Sequence, residues 1–293
     1  MNLNDLLRRK SIDPEQVLVL RHHPQEHQLN KVLPWLAADR PDLFNMYQRC
    51  QREKVEQVML RMLGRGYIAS FIGREAGKAL FVGLYSIGSS KPLSYDEYWA
   101  MPANRELKAL GMTGYSDGAR SSIHLFDLGL TEFYSEWAGK MIVGWPPPER
   151  SWWRRAHRNE LPILAVLEES QLHAAMPEWD AIDLGWEELR VLPTRWKAAL
   201  KEWRGIYYIF DTLDGKAYVG SACGRDNILG RWLQYAARGH GGNQLLRRRD
   251  PRNFRLTILQ RLSPDIDPAA VIRIEGSWKE RLHTRQPYGL NEN

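Results

Sequence analysis

Three observations predict an α+β chain in two parts. Residues 1–200 alternate short apolar runs with stretches of helical periodicity. Residues 203–293 follow a hairpin, helix, strand, helix order. The net charge of +6 falls entirely in residues 201–293, whereas residues 1–200 balance. The expected architecture is a C-terminal β-β-α-β-α module preceded by a larger α+β domain on a curled or barrel-like sheet. The expected division is a targeting domain over 1–170, a helical linker over 171–202 and the module over 203–293.

Residues 16–22 (QVLVLRH) read as a short apolar strand. Residues 28–62 read as helical, with Leu29, Val32, Leu33 and Leu36 at helical spacing and a break at Pro41. Two strands are expected at 66–73 and 78–87, joined by the turn Arg74-Glu75-Ala76-Gly77. Residues 88–130, rich in Gly and Ser, read as long loops. Strand signals return at 132–134 and 140–145 and stop at Pro146-Pro147-Pro148, since proline cannot continue a ladder. A last apolar strand is expected at 161–168, then helix over 169–200.

Composition excludes several classes. At 43% hydrophobic and 26% charged residues, the chain is neither disordered throughout nor collagen-like. Two cysteines, Cys50 and Cys223, build neither a disulfide framework nor a four-cysteine zinc site. No apolar run is long enough to span a membrane, and MNLNDLLRRK lacks a signal-peptide core. A cytoplasmic protein without membrane or organic cofactor is the expectation. Walker A, Rossmann and GxSxG patterns are absent. His22, His23 and His27 do not suggest zinc, because adjacent residues on a strand face opposite ways.

The C-terminal part carries the chemistry. A strand opens at Gly205-Ile206-Tyr207, and Asp214-Gly215 marks a hairpin. The return strand holds Tyr218-Val219-Gly220. A helix from about Asn227 carries Arg231 and Tyr235 on one face. A strand from Phe254 and a helix from Pro268 carrying Glu275 follow, then Asn291. The run Arg247-Arg248-Arg249, with Arg252, offers fork-shaped donors suited to phosphate.

This segment resembles the GIY-YIG nuclease domain, with Gly205-Ile206-Tyr207 and Tyr218-Val219-Gly220 filling its two triplets. Valine replaces the middle isoleucine of the second. Arg231, Tyr235, Glu275 and Asn291 follow in the family's order. The resemblance implies hydrolysis of a phosphodiester bond in DNA, double-stranded in the first instance. It implies Glu275 as the sole direct protein ligand of one Mg²⁺ or Mn²⁺ per active site, and Arg231 on the scissile phosphate. It implies a tyrosine as general base, Tyr207 first and with members of the family differing over which tyrosine it is, Tyr218 and Tyr235 orienting water or phosphate, and Asn291 supporting the site. His240, in a loop with Gly241 and Gly242, is a further catalytic candidate. Trp232 and Trp278 are expected in the core.

In this family targeting comes from an attached domain or an insertion. Most of the twelve tryptophans lie in residues 1–200. Trp145, Trp152 and Trp153 with Arg154 read first as a Trp-rich core, and alternatively as a pocket for an extruded or modified base, similar in architecture to PUA-like small barrels. The leading expectation is a restriction or phage-defence endonuclease, with a homodimer on DNA supplying two cuts. The rivals are a structure-specific repair or mobile-element nuclease, and a nucleic-acid-binding regulator with an inactive nuclease fold.

Overall fold

The computed structural model describes residues 1–73, 75–173 and 175–292. The chain forms two compact units, Met1–Ala174 and Ala175–Asn293. No helix among the described residues is long and apolar enough to cross a membrane.

The first unit is built on a seven-stranded mixed sheet. Its strands are β1 (Val17–His22), β2 (Tyr67–Ile72), β3 (Lys78–Leu93), β4 (Ile123–Leu130), β5 (Met141–Gly144), β6 (Trp153–Arg155) and β7 (Ile163–Val166). The order is β6-β1-β2-β3-β5-β7, and β4 also pairs with β3. The β1–β2 pair is parallel, and the other pairs are antiparallel. Strand β3 pairs with β5 near Lys78 and with β4 beyond Tyr85, with register shifts at Ser70/Phe71 and Ile87/Ser90. Such shifts bend and twist a strand, so the sheet curls, and β6 and β7 remain its edges.

Helix α1 (Leu3–Arg9) buries Leu3, Leu6 and Leu7 in a core with Val17, Val19, Phe71, Phe81 and Trp145. Helices α2 (His27–Asp39), α3 (Pro41–Arg49) and α4 (Glu53–Leu60) replace the expected run over 28–62. The break comes where expected, because Pro41 occupies the first turn of α3, where its missing N–H is harmless. Gln48 of α3 reaches the opposite sheet face and accepts a 2.5 Å hydrogen bond from the Ser70 hydroxyl.

Residues 88–130 depart from expectation. They hold the end of β3, α5 (Tyr95–Ala100), α6 (Pro102–Ala109) and β4. A capping box between Ser94 and Glu97 starts α5, and the Gly/Ser-rich stretch at 88–90 lies within β3. The strand expected at 132–134 is a turn, with Tyr134 left-handed at φ 43°. Of the turn expected at 74–77, Arg74 lies outside the described residues, and Gly77 takes φ 67°.

In the second unit, β8 (Asp183–Gly185), β9 (Arg204–Asp211), β10 (Ala217–Ala222) and β11 (Phe254–Leu262) form an antiparallel sheet in the order β10-β9-β11-β8. The expected linker over 171–202 is corrected here. Strand β8 pairs with β11, and α7 (Trp186–Arg190) and α8 (Thr194–Glu202) follow it. Ile182, Leu184, Leu189, Leu192, Trp196 and Leu200 are buried, so this segment belongs to the second unit's core.

Helix α9 (Asn227–Arg238) covers one sheet face and α10 (Pro268–Arg281) the other. Ile206 and Val219 pack with Val271, Ile274 and Trp278 on the α10 side. Tyr207 meets Tyr235 on the α9 side. Trp232 is fully buried, and Trp278 packs against the second core, both as expected.

His22 is 5% exposed, edge-on to Phe44 and Tyr47 at 5.5 and 5.4 Å, and its Nε2 has no hydrogen-bond partner. Burial lowers its pKa to about 4, with Gln48 opposing the shift. The unfolded chain, where His22 titrates near its ordinary pKa, therefore binds a proton that the folded unit refuses. The resulting stabilisation is complete above about pH 6.5 and is lost as pH falls through 4. The loss amounts to about 3 kcal/mol. A His22→Leu variant should show a shallower acid loss than wild type, read from the denaturant dependence of β1 amide exchange. Parallel pH profiles for the two proteins would refute the assignment.

Candidate active site

The second unit's site is built at the β9–β10 hairpin. Asp214-Gly215 closes the hairpin, with Gly215 at φ 74°, as the Asp-Gly pair predicts. Pairing aligns Gly220 with Tyr207 and Tyr218 with Ile209, which places Tyr207, Tyr218 and Gly220 on one face. The glycine is needed there. A Cβ on Gly220 would collide with the Tyr207 phenol oxygen and lie 2.6 Å from Tyr207 Cζ and 2.8 Å from Tyr218 Cε1. Gly205 answers a backbone constraint, since its Cβ would lie 2.6 Å from the Gln260 carbonyl oxygen.

Three tyrosines meet on that face. The Tyr207 and Tyr235 hydroxyls are 3.0 Å apart, and the Tyr207 ring centroid lies 6.3 Å from that of Tyr218. Tyr207 is 0% and Tyr235 1% exposed, whereas Tyr218, on edge strand β10, is only partly buried. Burial holds the Tyr207 phenol well above its ordinary pKa. Tyr235 and Tyr218 push it the same way, and Arg231 opposes them. Tyr235 is raised by burial and then by Tyr218. In this environment Tyr207 is a buried phenol held in its neutral form. Tyr218 is the phenol of the three that solvent reaches.

Arg231 lies on α9, partly buried. Its guanidinium is held more firmly protonated by Tyr207, Tyr235, Tyr218 and Glu275, with desolvation opposing. One cation thus senses all three phenols and the carboxylate. Glu275 projects from α10, and its Oε1 lies 2.8 Å from Lys279 Nζ. No group of three His, Cys, Asp or Glu side chains that could cage a metal exists among the described residues. The donor set fits a hard cation held by one carboxylate, water and substrate phosphate, the manner in which Mg²⁺ is commonly bound. Lys279 was not singled out from sequence, although its position four residues after Glu275 was visible there.

Asn291 is buried and bonds Val219 twice. Its Oδ1 accepts from the Val219 N–H at 2.9 Å, and its Nδ2 donates to the Val219 carbonyl at 2.8 Å. The side chain therefore acts as a short strand along the free edge of β10. Asn291 thereby positions the strand that carries Tyr218. The His240 loop packs on the site: a Cβ on Gly241 would lie 2.7 Å from Tyr235 Cε1. His240 Nδ1 accepts a 3.0 Å bond from the Gly242 N–H, which leaves Nε2 to carry the ring proton. Trp186, absent from the sequence expectations, donates its indole N–H to the Tyr235 carbonyl at 3.1 Å.

The arginine run divides. Arg249 clamps the hairpin by ion pairs to Asp211 and Asp214 at 2.7 and 2.8 Å, so it is a structural residue and not a free phosphate donor. Arg252 pairs with its neighbour Asp250. Arg247 and Arg248 are exposed, with no side-chain ion pair among the described residues. A cavity of about 580 Å³ lies beyond the turn end of β10, lined by Asp211, Lys216, Arg248, Gln286 and Pro287. None of the site tyrosines lines it, and the site itself is an edge feature.

Of the residues considered for a base pocket in the first unit, Trp145 and Arg154 are engaged within the fold. Trp145 is 3% exposed in the core, and its indole N–H donates to the Ser151 carbonyl. Arg21 and Arg154 lie over its ring at 5.7 and 5.8 Å. Arg154 donates to the Pro146 and Pro148 carbonyls, and Arg21 to those of Glu75, Lys78 and Glu149. The guanidinium groups organise the proline turn. Trp152 and Trp153 are partly buried, with Trp153 in edge strand β6.

Replacing Asn291 by Ala leaves a buried N–H and C=O of Val219 unpaired. The second unit should lose about 1–3 kcal/mol, and the Val219 amide should exchange faster. Unchanged protection at Val219 would show that the edge does not need this clasp.

No family model matches the chain, and no curated protein matches it. Among solved structures, the catalytic domain of the homing endonuclease I-TevI is similar at 27% sequence identity, over 31% of this chain and 98% of that chain, with a TM-score of 0.26.

Proposed function

We propose that the chain is a metal-dependent DNA endonuclease of the GIY-YIG kind, hydrolysing phosphodiester bonds in its second unit. The first unit selects the target, in a restriction or phage-defence role. The observation that supports the reading is the 3.0 Å contact of the Tyr207 and Tyr235 hydroxyls beside Tyr218, with Arg231 near enough for these phenols and Glu275 to act on its charge.

Phosphodiester hydrolysis needs a placed water and positive charge near the phosphoryl oxygens. Arg231 supplies a fixed guanidinium fork for the scissile phosphate. Tyr218, at the solvent-accessible edge, orients the attacking water. Tyr207 and Tyr235, neutral and hydrogen-bonded to each other, hold that face dry and in register. Glu275 would hold one Mg²⁺ or Mn²⁺, which when bound supplies further positive charge at the phosphate oxygens. His240 Nε2–H is a donor for a neighbouring phosphate. Arg247 and Arg248 contact the flanking backbone. Each chain has one such site, so a dimer on double-stranded DNA provides one cut per strand.

Purified full-length protein should cut DNA in the presence of Mg²⁺, and Glu275→Gln should abolish cutting. Arg231→Ala should slow it about 10²–10³-fold. Tyr218→Phe should lower kcat more than Tyr207→Phe. Phage DNAs with unmodified and hypermodified cytosine separate the modes of target choice. Defined bands from the unmodified DNA mean sequence selection, and cutting of the modified DNA alone means that a modified base is read. Absence of cutting on both, with Mg²⁺ present and the protein folded, would reject the restriction role.

A further inference from the structure

Glu275 already holds a cation. Lys279 Nζ lies 2.8 Å from its Oε1, and the two side chains are only 17% and 19% exposed. Ion pairs one helical turn apart are ordinarily surface features worth a few tenths of a kcal/mol. The close-spaced pairs Arg8–Asp5 and Lys78–Glu75 of this chain fit that pattern, with every side chain at least 42% exposed. The Glu275–Lys279 pair is recessed although α10 is largely exposed and fully buries only Val271. On α9, Arg231 feels the charge of Glu275 among others. The carboxylate itself already has one cation, Lys279, at hydrogen-bond distance.

We propose that Lys279 is a positioning residue that occupies the cation's place on Glu275. It holds the carboxylate toward the site and competes with the divalent metal. This rests on the reading of Glu275 as metal ligand. A dication approaching the carboxylate meets the Lys279 ammonium at short range, where charge repulsion is weakly screened. The metal must displace Lys279 to use Oε1. DNA phosphate brings the negative charge that offsets the excess, so metal capture is coupled to substrate binding. A free nuclease centre with little bound metal has little means of cutting indiscriminately.

The test is binding, not turnover. Mn²⁺ alone is titrated into full-length protein without DNA, and free Mn²⁺ is read by its electron paramagnetic resonance signal. Wild type, Lys279→Met, Lys279→Gln and Glu275→Gln are compared after thermal melts establish that each is folded. The two Lys279 variants should bind Mn²⁺ about tenfold more tightly than wild type, and adding Glu275→Gln to either should remove the gain. If both Lys279 variants bind no more tightly than wild type while Glu275→Gln weakens binding, the competition is refuted and Glu275 stands as ligand. If Mn²⁺ binding ignores Glu275→Gln in every background, the metal reading of Glu275 falls and the proposal falls with it.

Discussion

The contact between the Tyr207 and Tyr235 hydroxyls sets the geometry of the second unit. Both phenols are sealed from water, and each oxygen finds its partner in the other. A buried hydroxyl left without a partner is costly, so β9 and α9 must keep their spacing. Gly220 clears room for the Tyr207 ring, Gly241 lets the loop after α9 close on Tyr235, and Trp186 holds the Tyr235 carbonyl. Two leucines could fill the same space without any such demand. A polar pair in a dry core adds little net stability, and its value lies in placing groups at fixed positions beside Arg231.

The edge position of β10 follows from the same arrangement. With α9 and α10 covering opposite faces of a four-stranded sheet, the free edge is where groups from both sides can meet. Tyr218 and Arg231 belong to the α9 side, and Glu275 rises from the helix on the other. An unpaired edge invites association with foreign strands. Here Asn291 occupies it, using its side-chain amide to satisfy Val219. One residue thus closes the edge and fixes the strand that carries the accessible phenol.

The sequence made the second unit legible because its constraints are local. Gly205 and Gly220 mark close approaches, Asp214-Gly215 marks a hairpin, and Arg231 and Tyr235 sit one helical turn apart. The environment of Tyr207 was not legible, because burial is a tertiary property; it holds the phenol above its ordinary pKa. The arginine run misled for a similar reason: Arg249 is drawn to Asp211 and Asp214, residues 38 and 35 positions away. The first unit was harder still. Gly88, Ser89 and Ser90 read as loop residues but lie in a bent strand whose pairing compensates for their weak propensity. Residues 183–202 looked like a linker because the partner of β8, strand β11, lies some seventy positions downstream.

The burial of Trp145 redirects the question of target choice. Aromatic richness and nearby arginines describe a base-stacking pocket and a cation–indole core equally well in sequence. The two differ in where the arginine donors go. In this fold Arg21 and Arg154 spend their donors on five backbone carbonyls, which leaves those donors unavailable to phosphates. The first unit, residues 1–174, is also nearly neutral, with 22 Lys/Arg against 20 Asp/Glu. A surface of that kind gains little from counterion release. Under the proposed endonuclease function, any selectivity it adds must come from shape and directed hydrogen bonds, while affinity for a phosphate backbone falls to Arg231, Arg247 and Arg248 of the second unit.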